Sequence, residues 1–379
     1  MQNETRELFE QYTQRQAAIN GVSRSAVGKS FTVKPAIQQK LEKAAQESSD
    51  FLKKINVMPV KEQEGQKLRL GSKGPGASTN NTSDGSKRRN PSPNHQVEGQ
   101  GYRCRKVNHD TALSYEEMDA WAMFPNFQQL IAQSQAEQIA LDRITIGFNG
   151  THYSDVSDST AYPLLQDCGA GWIQKIRDEA PHRIISDVTI TARDEDNQIV
   201  ARGTYGNLDA AVFDAKNSLL ASWHKKAPDL VVILSPDLLT SVNFPRLNAL
   251  SQTNPNSELL AAQLILSTER VGGLPAFTSP MIPDGVVLIT SFKNLSVYYQ
   301  LGSARRSVVE EAHYNRVATY QSSNDDYVVE DLGKAALIDG IKFAAPGAAA
   351  PASYGVVLNA ATGGEGANEQ TASEQAGAE

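Results

Sequence analysis

Few residues in this sequence have types and spacing that fit a known chemistry. Gly28-Lys29-Ser30 matches the end of a phosphate-binding loop, in which backbone amides and a lysine surround the phosphates. That loop also needs an apolar strand before it and a glycine where this chain has Ser23. We therefore expect no nucleotide site. A nucleotide-using enzyme stays an alternative, which a ligand-dependent rise in melting temperature would support.

Histidines and acidic residues do not form a recognisable metal or acid–base site either. The six histidines are scattered singly, without the His-Glu-x-x-His spacing of a zinc-binding helix. The pairs Asp325-Asp326 and Glu330-Asp331 have carboxylates that suit a hard cation, but neighbours on a strand point to opposite faces. We interpret them as salt-bridge partners between subunits. The sequence predicts no catalytic residue, no metal and no cofactor.

Composition narrows the class of protein. The two cysteines, Cys104 and Cys168, are typical of a reducing compartment, and we expect free thiols, one on a strand and one on or before a helix. Hydrophobic residues at 40% and charged residues at 21% indicate a soluble globular protein, and a net charge of −7 argues against direct wrapping of DNA. No apolar run reaches membrane-spanning length, and the N-terminus is too polar for a signal peptide. We expect the protein in the cytoplasm.

Hydrophobic periodicity predicts seven helices. The first is amphipathic, with Leu8, Tyr12 and Ile19 at near-helical spacing, and ends at Asn20-Gly21. The fourth is the longest, and its pattern by itself indicates an amphipathic core helix. The predicted ranges are Thr5–Ala18, Pro35–Leu52, Tyr115–Met123, Phe127–Phe148, Cys168–Glu179, Leu208–Trp223 and Glu258–Leu266.

Alternating and continuous apolar runs predict the strands. Ile55–Leu70 is expected to pair with Arg103–Leu113, and Ile184–Ile190 with Ile199–Thr204, as two hairpins. Leu230–Leu234 is apolar throughout, which favours a buried central strand. A mixed sheet flanked by helices, hence an α+β body, is completed by Gly285–Thr290, Leu295–Tyr299, Ser307–Val309 and Asp326–Glu330.

Between the two arms of the first hairpin lies a polar loop, Gly71–Gly101, rich in Gly, Ser, Asn and Pro. The segment Gly71–Asn108 has seven basic and two acidic residues, a local charge of +5, so the rest of the chain carries −12. One interpretation is a solvated flexible loop. The other is a basic arm that lies on an acidic neighbouring subunit through many weak contacts. The basic residues are Lys73, Lys87, Arg88, Arg89, Arg103, Arg105 and Lys106.

The order of these parts and several short phrases resemble the major capsid proteins of tailed phages, most closely the Peduovirus-like, gpN-type family. The phrases follow the family's order over residues 1–343, and the chain departs from the pattern after Gly71 and after Ala344. They are Lys29–Val33, Gln46–Leu52, Gly147–Gly150, Leu165–Asp167, Gly171–Trp172, Glu179–Pro181, Pro228–Ile233 and Asp326–Asp331.

The resemblance implies a Hong Kong 97-type capsid fold. It has an N-terminal arm at 1–58, an extended loop at 59–108, a peripheral domain with a long spine helix at 109–205 and 316–343, and an axial domain at 206–315. Composition makes 344–379 a disordered tail. Pentamers and hexamers of the chain would form an icosahedral head around double-stranded DNA. Tail-tube and decoration subunits of phages are the structural alternatives.

The resemblance also implies partners and a maturation step. An internal scaffold, whose prohead protease trims the arm, and a portal protein would be the partners in the virion, with no membrane involved. The candidate cut lies in the small-residue stretch Ser25–Phe31, which we expect to be exposed, at Lys29, Ser30 and Phe31. The mature protein would then begin near Phe31, and residues 1–30 would be removed.

Overall fold

The computed structural model describes residues 1–72, 95–124, 126–194, 198–241 and 270–345. Seven α-helices fall in those ranges. Gly21 (φ 68°) ends the first in a left-handed conformation that suits glycine, and Ser114 begins the fourth with a capping box to Glu117. The helices are α1 Asn3–Asn20, α2 Pro35–Ser48, α3 Asp50–Lys54, α4 Tyr115–Ala122, α5 Phe127–Asn149, α6 Trp172–Glu179 and α7 Leu208–Leu219.

Nineteen strands are found in the same ranges, and most of them join two sheets. The first ten are β1 Phe31–Thr32, β2 Asn56–Val60, β3 Glu64–Ser72, β4 His95–Arg103, β5 Arg105–Asn108, β6 Thr111–Ser114, β7 Ile184–Ser186, β8 Thr189–Ile190, β9 Ala192–Arg193 and β10 Ile199–Ala201. The others are β11 Val231–Leu234, β12 Arg270–Val271, β13 Leu274–Thr278, β14 Val287–Thr290, β15 Leu295–Gln300, β16 Arg305–Glu311, β17 Arg316–Val329, β18 Ala336–Asp339 and β19 Lys342–Phe343.

A seven-stranded sheet is organised around β17, which is 14 residues long. Its order is β1-β16-β17-β15-β2, and β5 and β6 also pair with β17. The β2 strand lies parallel to β15, whereas β15, β16, β5 and β6 are all antiparallel to β17. This sheet therefore gathers strands from the arm, from both ends of the loop segment and from the C-terminal half of the chain.

A six-stranded sheet has the order β12-β13-β11-β14-β18-β7. As predicted, the apolar run Leu230–Leu234 supplies an interior strand: all four residues of β11 are buried, between a parallel neighbour and an antiparallel one. Helix α7 packs on one face of this sheet through Leu208, Val212 and Ala215. The predicted single mixed sheet is thus two mixed sheets.

The main core lies between α5, α6 and the inner faces of both sheets. Trp172 is completely buried there, and its indole Nε1 donates a hydrogen bond of 3.0 Å to the carbonyl of Ser296. The Trp172 ring meets Phe148 and Tyr327 edge to face, at centroid distances of 5.4 and 5.5 Å. Helices α5 and α6 approach each other closely because the crossing is made by Gly147 and Gly171.

We expect Gly147→Ala to lower the free energy of unfolding by about 1–3 kcal/mol, because a methyl group there would overlap the buried Trp172 ring. The overlap outweighs the roughly 1 kcal/mol that alanine gains over glycine in a helix. Urea denaturation measures the difference. The matched control is Gly206→Ala, where an added Cβ meets no heavy atom within 4 Å. Equal stability of the two variants would contradict the proposed close packing.

Helix α1 packs on α4, the start of α5 and the seven-stranded sheet. Its buried residues include Thr5, Phe9, Tyr12 and Ala17, which recur on one face. Near-helical spacing predicted Ile19 on that face, but Ile19 is 38% exposed and Phe9 takes the buried position instead. Near-helical spacing alone allowed either face.

Strands β3 and β4 form a two-stranded antiparallel ribbon with nine residue pairs, from Glu64 with Arg103 to Ser72 with His95. The predicted hairpin between Ile55–Leu70 and Arg103–Leu113 is therefore wrong over most of its length. Its outer parts, β2, β5 and β6, pair with β15 and β17 instead. The long strands β15 and β17 provide β2, β5 and β6 with more backbone hydrogen-bond partners than the local hairpin would.

Other predicted elements also have different limits, among them the helix predicted at Leu208–Trp223, which ends at Leu219. The second helix is interrupted at Ser49, whose extended backbone separates α2 from α3, and the fifth helix begins at Trp172 rather than Cys168. The 184–204 hairpin is reduced to β9 and β10, because β7 and β8 pair with β18 and β19. The predicted helix Glu258–Leu266 and the tail beyond residue 345 lie outside the described residues.

Candidate assembly surfaces

The two cysteines are unsuited to nucleophilic chemistry. Burial, reinforced by the carboxylates of Asp326 and Asp325, raises the pKa of Cys104 to about 12. Burial and the neighbouring Asp167 raise the pKa of Cys168 to about 11. Both thiols are free and stay protonated at neutral pH, so neither offers a thiolate. Cys104 lies between β4 and β5 rather than on a strand, and Cys168 precedes α6.

Two histidines pair with carboxylates. The Nδ1 atom of His109 lies 2.9 Å from an oxygen of Asp142, and the Nε2 atom of His224 lies 2.7 Å from Asp331. A hydrolytic dyad also needs a nucleophile at the second ring nitrogen. The Nε2 atom of His109 is buried and has no hydrogen-bond partner among the described residues. Nor do those residues contain a group of three His, Cys, Asp or Glu side chains able to hold a metal.

The acidic pairs Asp325-Asp326 and Glu330-Asp331, on β17 and in the turn after it, form ion pairs and hydrogen bonds within the subunit. Lys175 on α6 binds Asp326 at 2.7 Å, and Lys67 on the ribbon binds Glu330 at 2.6 Å. Burial by itself would raise the pKa of Glu330, but hydrogen bonds from Lys67 and Ser296 lower it. The interpretation of these pairs as bridges between subunits is wrong, because all four carboxylates have partners within the chain.

Asp325 belongs to a buried ion network that joins three elements. The Arg143 side chain on α5 is 1% exposed and lies between Glu42 of α2 and Asp325 of β17. Its Nε atom donates a hydrogen bond of 2.9 Å to Asp325, and its Nη1 atom donates another to Glu42. These two carboxylates raise the pKa of Arg143 although burial by itself would lower it. The network fixes the arm helix α2 on α5 and the sheet.

The base of the ribbon rests on its own subunit. Tyr102 meets the ring of Tyr298 edge to face at 5.4 Å, and the backbone amide of Arg103 donates a hydrogen bond of 3.0 Å to Asp326. Gln100 donates a hydrogen bond to Glu179 at the end of α6. The ribbon is therefore supported at its base by α6, β15 and β17.

The basic residues predicted to contact a neighbour divide into two groups. Within the described residues, Arg103 lies 3.6 Å from Glu64 on the paired strand, and the Arg105 guanidinium lies 5.0 Å from the centre of the Tyr153 ring. Lys106 is exposed. Lys73, Lys87, Arg88 and Arg89 lie outside the described residues. The structure thus places Arg103 and Arg105 against their own subunit.

The predicted processing residues lie where the arm meets the sheet. Lys29 and Ser30 are exposed, whereas Phe31 is buried and pairs with Arg306 through β1. The stretch was expected to be exposed throughout, and burial of Val27 and Phe31 corrects that expectation. The Ser30–Phe31 bond is therefore the step from an exposed loop into a strand.

Several apolar side chains are exposed at positions that the sequence pattern did not single out. Met123, Val156, Phe213, Trp223 and Tyr314 are each more than 60% exposed in the subunit. Periodic patterns assign such residues to a core, so exposure is visible only in three dimensions. Single exposed apolar residues are common, but the adjacent pairs Met123-Phe124 and Ile199-Val200 mark small apolar patches.

None of the helices in the described ranges is long and apolar enough to span a membrane. In the part of the chain that the structure describes, the N-terminal segment, the ribbon and these apolar patches are the candidate assembly surfaces.

Comparisons with known proteins agree on one family. The sequence model of the phage major capsid protein, P2 family, matches residues 8–341. The major capsid protein of Serratia phage KSP20 is 61% identical over 346 residues, which cover 91% of this chain and 99% of the relative. The capsid protein of Escherichia phage P2 is 41% identical over 349 residues, 90% of this chain and 96% of the relative.

A solved structure supports the fold. The chain resembles a subunit of the satellite phage P4 procapsid, which was solved with its size determination protein, with a TM-score of 0.69 and 38% identity. The likeness covers 90% of this chain and 99% of that one. The α+β, Hong Kong 97-type capsid fold implied by the resemblance is confirmed, and the family points to a structural role in the virion rather than an enzymatic one. The chain belongs to the P2 family of phage major capsid proteins.

Proposed function

We propose that the chain self-assembles as pentamers and hexamers into an icosahedral head that encloses double-stranded DNA. The observation that carries the proposal is the match over nearly the whole chain to a subunit of a phage procapsid. A body with a packed core, a two-stranded ribbon and a docked N-terminal segment suits quasi-equivalent packing, because one sequence must satisfy several slightly different contacts. The chain holds DNA by enclosure, since a net charge of −7 does not favour phosphate binding.

We also propose the division into an arm at 1–58, an extended loop at 59–108, a peripheral domain at 109–205 and 316–343, and an axial domain at 206–315. The ribbon of β3 and β4 makes up most of the described part of the extended loop, and β5 is its last segment. Strands β16 and β17 pair across the 315/316 boundary, and β7 and β18 join the six-stranded sheet from outside 206–315. The sheets therefore link the two domains along the chain.

The partners in this proposal are further copies of the chain, an internal scaffold with its prohead protease, and a portal protein. Expression with the scaffold, followed by negative-stain electron microscopy, tests the assembly. Closed icosahedral shells are expected. Hexameric rings would favour a tail-tube subunit and scattered trimers a decoration subunit. Monodisperse monomers that bind a small ligand would favour an enzyme.

We expect the protein of mature virions to begin at Phe31. The Lys29 and Ser30 side chains are exposed to a protease, whereas Phe31 lies in β1 and stays paired with β16 after the cut. N-terminal sequencing and intact mass measurement of virion protein check this. Protein from heads assembled without active protease is the control and should keep its first residues. Virion protein that begins with Met1 or Gln2 would refute the processing.

A further inference from the structure

The N-terminal segment occupies a groove built by the rest of the subunit. We call it the α1 groove, defined by Met118 of α4, Phe127 and Ile131 of α5, Val308 of β16 and Val317 of β17. These side chains form one buried apolar cluster with Phe9, Tyr12 and Ala17 of α1. Every wall of the groove comes from residues after the proposed cut.

Polar contacts fix the helix in this groove. Arg306 on β16 is 4% exposed and donates a hydrogen bond of 2.9 Å from Nη2 to the Tyr12 hydroxyl. The Nε atom of Arg306 is buried without a partner among the described residues, so loss of Tyr12 would leave this cation still less satisfied. On the rim, Arg6 pairs with Glu310 at 3.1 Å, and the backbone amide of Gln2 donates a hydrogen bond of 2.9 Å to Asp119.

The loop between α1 and the proposed cut is also attached. Val27 is buried, and its carbonyl accepts a hydrogen bond of 3.0 Å from the amide of Val308. Hydrolysis of the Ser30–Phe31 bond removes none of these contacts, because each of them is non-covalent and joins a residue before the cut to one well beyond it. The cut removes the covalent link between the helix and the body, and it therefore lowers the effective concentration of the helix at its groove.

We propose that the α1 groove is a helix-binding site that keeps segment 1–30 bound after cleavage, so that cutting and release are separate steps. This inference rests on the proposed processing. It adds that release of the segment is controlled by opening of the groove and not by the cut. The binding is of the helix-in-groove kind, with Phe9 and Tyr12 as anchors. A free helix of this length is marginally stable in water, so dissociation also unfolds the segment.

The test uses the full chain with a site-specific protease sequence inserted between Ser30 and Phe31. The subunit is folded first, cut second, and then analysed by size-exclusion chromatography and native mass spectrometry. We expect fragment 1–30 to co-elute with the body, and a dye-labelled synthetic peptide of residues 1–30 to exchange into the cut complex. Elution of the fragment as a separate peak, with no uptake of labelled peptide, would overturn the proposal.

Matched peptides separate the buried face from the exposed one. A labelled peptide with Phe9→Ala and Tyr12→Ala should bind at least about 100-fold more weakly, because both anchors are lost. A peptide with Gln11→Ala and Gln14→Ala, both on the exposed face, should bind like the natural sequence. Equal binding of the two variants would contradict docking through the α1 groove.

The peptide-binding and engineered-cut experiments can fail separately from the processing proposal. Virion protein that begins with Met1 would refute processing but leave peptide binding as measured. A fragment that leaves at once after the engineered cut would refute the helix-binding site, wherever virion protein begins.

Discussion

Replacement of Arg143 by methionine is expected to lower the free energy of unfolding by about 3–5 kcal/mol. The substitution leaves the carboxylates of Glu42 and Asp325, which are 7% and 3% exposed, buried beside each other without a cation. Asp325 already has one buried oxygen without a hydrogen-bond partner among the described residues, so no alternative donor is in place. Urea denaturation of the isolated subunit measures the loss.

The control for Arg143 is an exposed pair between the arm and the same sheet. Arg6→Met breaks the contact with Glu310, where the side chains are 50% and 31% exposed, and should cost at most about 1 kcal/mol. A triple variant, Arg143→Met with Glu42→Gln and Asp325→Asn, should recover much of the loss, because no buried charge remains. If Arg143→Met costs no more than Arg6→Met, the network does not hold the arm helix in place.

Reversal of Arg88 and Arg89 to glutamate is expected to reduce shell assembly at least about tenfold while the subunit stays folded. Interface juxtaposition of like charges costs several kcal/mol, and 1.4 kcal/mol is already a factor of ten in affinity. The prediction rests on the split between +5 in Gly71–Asn108 and −12 in the rest of the chain. Circular dichroism checks the fold, and sedimentation with electron microscopy counts the shells.

A charge-matched control separates a local contact from overall charge. Lys40→Glu with Lys43→Glu changes the net charge by the same amount at two exposed positions of α2. This variant should assemble normally. Equal assembly of both double variants, or equal failure, would count against a specific role of the basic loop.

Elements with strong local signals were predicted well. The long helix α5 follows from 3.6-residue periodicity over more than twenty positions, and β11 follows from an uninterrupted apolar run. The family resemblance, carried by short phrases such as Asp326–Asp331, supplied the capsid fold that periodicity alone does not reach. The family match and the procapsid structure confirm it.

The local sequence pattern did not determine which strands pair with each other or which charged side chains form ion pairs. Alternation predicted strands at both ends of the loop segment, but the edges of β15 and β17, about 200 residues away in the chain, captured β2, β5 and β6. The carboxylates of β17 were likewise assigned to neighbours, although Arg143 and Lys175 lay within the same chain. Such pairings depend on chain topology, which single-sequence periodicity does not encode.

The ribbon of β3 and β4 enters from β2 and leaves into β5, and both of these strands belong to the seven-stranded sheet. Nine residue pairs make it about 30 Å long, so a tilt of about 10° at its base displaces the far end by about 5 Å. The ribbon can therefore tilt about its base at Tyr102 and Cys104, and a small rotation there becomes a large displacement at its far end. A neighbouring subunit that pulled on its far end would exert a torque on β15 and β17, the strands on which α5 and the N-terminal helix also pack.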